Sequence, residues 1–95
     1  MPDFLLLMHS DALQSINDAD WGPYFARLGA RFEGGSAIGA GECVRKSGVV
    51  PGMSKHLTGY IRVQAESLDA AKVLLSGNPV FEAGGTVEIR ALPRG

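Results

Sequence analysis

The sequence predicts an α+β domain of the ferredoxin-like type, with element order strand, helix, strand, strand, helix, strand. Three observations carry that reading. Gly59–Glu66 and Thr86–Leu92 alternate apolar and polar residues, the period of a strand with one buried face. Trp21, Tyr24, Phe25 and Leu28 fall at i, i+3, i+4 and i+7, the spacing of a helix with one apolar face. Phe4–His9 is an unbroken apolar run ending in histidine, as expected of a central strand covered on both sides. Joined without crossings and with right-handed crossovers, these elements give a four-stranded antiparallel sheet with both helices on one face.

The elements follow in order. After the first strand, Ser10–Asp18 is polar and loop-like; Asp18 or Asp20 is placed to cap the first helix. Pro23 sits in its first turn, where a missing N–H costs little. Gly29, Gly34 and Gly35 mark the exit. Ser36–Lys46 reads as a glycine-rich second strand and Ser47–Lys55 as a loop. In the third strand Ile61, Val63 and Ala65 oppose Tyr60, Arg62 and Gln64. Ser67 is a good N-cap for a second helix with Asp69 in its first turn and a buried stripe of Leu68, Ala71, Leu74 and Leu75. Gly77-Asn78-Pro79 stops it, and Val80–Gly85 turns the chain back. In the last strand Val87, Ile89 and Ala91 oppose Glu88, Arg90 and Leu92.

Ninety-five residues make one domain, 1–95. A net charge of −1, with both signs scattered, argues against nucleic acid and against a membrane-surface patch. The longest apolar run, Phe4–Met8, is too short for a membrane span or a signal peptide, so a cytoplasmic location is the expectation. A single cysteine, Cys43, excludes an internal disulfide and CxxC chemistry; on a glycine-rich strand it reads as a small buried residue. The two helices leave the second sheet face uncovered, and Tyr60, Arg62, Gln64, Glu88, Arg90 and Leu92 make it mixed in polarity. A second copy is the economical cover, giving a homodimer in which two sheets enclose a barrel.

Several residues are candidates for chemistry. His9 ends the central strand, where a side chain can face a cavity at the barrel mouth, and an imidazole suits proton transfer near neutral pH. Asp11 is close enough in sequence to orient it. His56 is either a second acid–base group, an imidazole partner of His9, or an exposed loop residue. Arg62 and Arg90 either hold a small anionic or aromatic ligand, with Glu88 neutralising one of them, or form cross-strand ion pairs with no ligand. Tyr60 either presents its hydroxyl to the ligand or packs; Trp21 packs the first helix. The glycines at 34, 35, 39 and 41 lack the Lys-Ser/Thr of a phosphate loop. Two histidines without helical or carboxylate spacing imply no metal, and no cofactor motif is present.

Gly59–Pro93, GYIRVQAESLDAAKVLLSGNPVFEAGGTVEIRALP, resembles the C-terminal half of the YCII-related family in its DGPF-type branch. The shared features are the Gly-Tyr strand opening, Ser67-Leu68-Asp69-x-Ala71, the Asn78-Pro79 helix stop and Val87-Glu88-Ile89-Arg90. FLLLMH at 4–9 and GARFEGGSAIGAG at 29–41 fit more loosely. The resemblance implies a dimeric α+β barrel, and a histidine–aspartate pair near the barrel mouth in members that are enzymes. The Asp-Gly-Pro-Phe motif itself is missing; Val49–Thr58 stands in its place, without the aspartate. Two functions are therefore expected. One is a small-molecule enzyme or ligand-binding protein, with His9 carrying cofactor-free elimination, isomerisation or dehalogenation. The other is a non-catalytic dimeric module with a structural or regulatory role.

Overall fold

The computed structural model describes residues 1–94. Four antiparallel strands, β1 (Asp3–His9), β2 (Phe32–Ala37), β3 (Leu57–Gln64) and β4 (Val87–Leu92), form one sheet in the order β2-β3-β1-β4. Helices α1 (Trp21–Leu28) and α2 (Leu68–Val73) and the short α3 (Pro79–Glu82) complete the ferredoxin-like α+β fold. No described helix is long and apolar enough to cross a membrane.

Alternation decides which sheet face is buried. Phe4, Leu6 and Met8 of β1 lie level with Val63, Ile61 and Gly59 of β3, and with Ala91, Ile89 and Val87 of β4. Phe4, Leu6, Met8, Ile61 and Val63 form one core with Tyr24 and Leu28 of α1, Ala71 of α2, Leu75 and Val80; Val87 and Ile89 pack against it, and Ala91, expected on the buried face, is exposed near the end of β4. The opposite face carries Leu5 and Leu7 beside Tyr60, Arg62, Glu88 and Arg90, and no described helix covers it. Tyr24 anchors the helical layer: its hydroxyl donates to the Leu74 carbonyl at 2.8 Å, and burial pushes its pKa up.

The helix ends follow local chemistry. Ser67 caps α2 by accepting from the Ala70 N–H, as its position in the sequence requires. Asn78, fully buried, stops the preceding turn and also caps α3, its Oδ1 accepting from the N–H groups of Val80 and Phe81. The expected cap of the first helix differs. Asn17 caps a 3-10 turn at Asp18–Asp20, and Asp20 precedes α1 without a side-chain cap bond. Leu68, expected in the buried stripe, opens α2 on its outer side and is 47% exposed.

The second strand departs furthest from its expected bounds. It starts at Phe32 and ends at Ala37, so Gly34 and Gly35, read as a helix exit, lie inside it. Phe32 decides this: it pairs with Val63 and stacks on Phe25 at 4.6 Å. Between Phe32 and Gly35 the register shifts, and Gly34 takes a positive φ that suits glycine. At Gly35 an added Cβ would strike the Tyr60 carbonyl, so only glycine lets the two backbones approach this closely. Beyond Ala37, residues 38–56 have no regular structure. Cys43 therefore lies off the sheet, in an irregular segment, and is only half-buried.

Candidate functional site

Three chain segments converge where β1 ends. The His9 N–H donates to the Thr86 carbonyl at 2.9 Å, tying β1 to the residue before β4. The Ser10 N–H donates to the His56 carbonyl at 2.8 Å, tying the same point to the residue before β3. A register shift between Met8 and His9 brings Leu57 rather than Thr58 level with His9. Below this corner the chain after β1 is held by Leu13 and Gln14, whose N–H groups both donate to the Ala83 carbonyl.

His9 Nε2 lies 3.0 Å from Glu88 Oε1. The other oxygen of Glu88, Oε2, accepts from Arg90 at 3.0 Å. Arg90 first, then His9, hold the Glu88 carboxyl below the usual carboxylate range, so it stays ionised beside the imidazole. The His56 ring stands edge-on to His9, centroids 4.8 Å apart. His56 is thus both an exposed residue ahead of β3 and the imidazole neighbour of His9.

Asp11 does not orient His9. Its Oδ1 accepts from the Thr86 N–H at 2.8 Å and its Oδ2 from the Thr86 hydroxyl at 2.6 Å, bonds that keep its carboxyl below the usual range. The carboxylate on His9 is Glu88, which sequence reading had placed on the ligand face as a partner of arginine. The link is topological: Glu88 lies opposite Leu7, two residues before His9 on the neighbouring strand.

Arg62 is drawn to the other end of the open face. It donates to Asp3 Oδ2 at 2.7 Å and approaches Glu33 at 4.0 Å, while Arg94 reaches Asp3 at 3.5 Å. Arg62, then Glu33, hold the Asp3 carboxyl down, whereas neighbouring Asp3 pushes Glu33 up. Both arginines expected to grip a ligand thus have carboxylate partners within the chain. Tyr60 lies at the Glu88 end, across Leu7 from Glu88, and is 38% exposed.

A cavity of about 680 Å³ opens beside the corner, lined among others by Met8, His9, Trp21, Phe25, Tyr60 and Ile61. Its size falls within the roughly 300–1,000 Å³ usual for small-molecule sites. Its walls are mainly apolar and aromatic, with His9 and Asp18 among the ionisable groups of its lining. Such an arrangement suits a flat, weakly polar molecule that presents one acidic proton to an imidazole.

No protein-family model and no curated protein sequence matches the chain. A solved structure does: 5-chloro-2-hydroxyhydroquinone dehydrochlorinase from Burkholderia phenoliruptrix AC1100, in complex with 2,5-dihydroxybenzoquinone. The two share 17% sequence identity and superpose with a TM-score of 0.58, over 98% of this chain and 95% of that one. The two chains share a ferredoxin-like α+β fold. At this identity the likeness extends to the fold alone, and the site must be argued from its own residues.

Proposed function

We propose that this chain is a YCII-related domain that binds a small aromatic or anionic molecule in the cavity beside His9 and moves a proton there without an organic cofactor. The observation that carries the reading is His9, which lines a cavity of about 680 Å³ and holds Glu88 at 3.0 Å behind it. His9 acts as the base. Glu88, ionised and anchored by Arg90, fixes the ring and stabilises the imidazolium that forms, the part the resemblance assigns to an aspartate this chain lacks. The structural neighbour is a dehydrochlorinase crystallised with a hydroxylated quinone. Removal of hydrogen chloride needs a base for the proton and a path for the halide, so hydroxylated or halogenated aromatic compounds are the first substrates to try.

A homodimer is part of the same reading. Leu5, Leu7 and Tyr60 are only partly covered in one chain, and a second sheet laid over them would close the barrel. Light scattering at micromolar concentration tests this directly; a monomer would remove it.

Fragment screening by NMR with hydroquinones and hydroxybenzoquinones tests the site. Shifts should cluster on Met8, Trp21 and Tyr60, and His9→Ala should sharply lower turnover of any halogenated member. If no fragment perturbs this region, the non-catalytic module is the better reading. Turnover indifferent to His9→Ala would sink the proposed chemistry.

A further inference from the structure

His9, His56 and Glu88 come from three separate segments, yet one donor atom from each lies within 4.8 Å of the other two. Metal–ligand bonds of about 2.0–2.1 Å at tetrahedral angles put donor atoms roughly 3.3 Å apart. His9 Nε2 and Glu88 Oε1, at 3.0 Å, already have nearly that spacing. His56 is exposed, so its ring is free to swing the remaining distance.

The surroundings suit an ion as well. Pairing with β3 holds the backbone of His9, pairing with β1 holds that of Glu88, and the Ser10 N–H holds the carbonyl of His56. Arg90 occupies Glu88 Oε2 and leaves Oε1 turned to the imidazole, the outer-sphere bond that orients a ligating carboxylate. Two imidazoles and one carboxylate form a donor set for zinc and its neighbours, not for magnesium or calcium, which prefer all-oxygen sites. Three protein donors leave a coordination position open.

We propose that His9, His56 and Glu88 bind one divalent transition-metal ion of the zinc class. Binding itself needs only these three side chains. It rests on the proton-transfer reading in one respect: an ion on Nε2 takes the lone pair that His9 would use as a base, so the metal-bound form is the silent form of the site.

The test uses the full chain, stripped with chelator and titrated with cobalt(II), then with zinc(II). Cobalt should develop the intense visible bands of a low-coordinate nitrogen–oxygen site, saturate at a single ion per chain, and be displaced by zinc. His56→Ala, on an exposed side chain, and Glu88→Gln should each weaken cobalt binding at least about tenfold, since even outer-sphere partners are worth 10–100-fold. Cys43→Ser should change nothing. Circular dichroism of each variant separates a lost ligand from a lost fold. The proposal is overturned if cobalt gives no saturable spectrum, or if well-folded His56→Ala and Glu88→Gln both bind as the parent does. Cobalt absorbance needs no substrate, so it succeeds or fails independently of fragment binding and turnover.

Discussion

The open face of the sheet carries a carboxylate at each end, and the two are treated differently. At one end Asp3 is buried and meets two guanidinium groups, Arg62 and Arg94. Charge there is matched by groups that never deprotonate, and the result is a lock between the first strand, the third and the chain end. At the other end Glu88 divides its two oxygens between Arg90 and His9. An imidazole can give up its proton or its lone pair, so one arm of that carboxylate remains available for chemistry. A carboxylate thus meets two permanent cations at one end of the face, and one permanent cation and one titratable ring at the other.

The largest effect that would break this comparison lies at the His9 end. His9→Ala should lower turnover of a productive substrate by about 10²–10⁴-fold, the usual worth of a positioned base, while ligand affinity falls far less. Steady-state kinetics beside NMR binding separates the two. A loss confined to binding would make His9 a wall of the cavity rather than its base.

Asp3→Asn should act on stability instead. The Asp3 carboxyl is held below its ordinary range in the folded chain, so its contribution is fully present above that range and is lost as pH falls through the folded value. Urea unfolding should therefore show Asp3→Asn less stable than the parent at neutral pH, with the gap narrowing in acid. A constant gap from neutral to acid pH would mean that packing, not charge, is what Asp3 supplies.

The smallest effect is expected from Arg90→Ala. Its partner bond is solvent-exposed, so the urea midpoint should move little. The position of Glu88 should loosen, however, and turnover should fall modestly with the fold intact. A large drop in stability would place the Glu88 end in the same class as the Asp3 end and erase the contrast.

Much of this layout is legible in the sequence. Period-two alternation in Gly59–Glu66 and Thr86–Leu92 identified two strands and their faces, because only one side of each meets the core. His9 stood out as the polar end of an apolar strand. What stayed hidden was pairing across the sheet. Asp11 is near His9 in sequence, and Glu88 is near it only through the register of β1 against β4. Sequence proximity ranks the wrong carboxylate first, and Thr86 then claims both Asp11 oxygens. The second strand was displaced for a related reason. Gly34 and Gly35 read locally as a turn, and the stacking of Phe32 on Phe25, a tertiary contact, places them within the sheet.

The irregular segment 38–56 has a consequence for how such a site changes over time. It carries apolar side chains with no cover in the chain, Val44 and Val49 being more than four-fifths exposed, and it ends on His56. Two members of the His9–His56–Glu88 cluster are built into paired strands, whose backbone positions belong to the scaffold. The third is delivered by an irregular segment outside the sheet. Exchanging that cassette would rewrite what the corner binds while leaving the scaffold as it is, so a lineage can gain or discard a donor there without first solving the folding problem again.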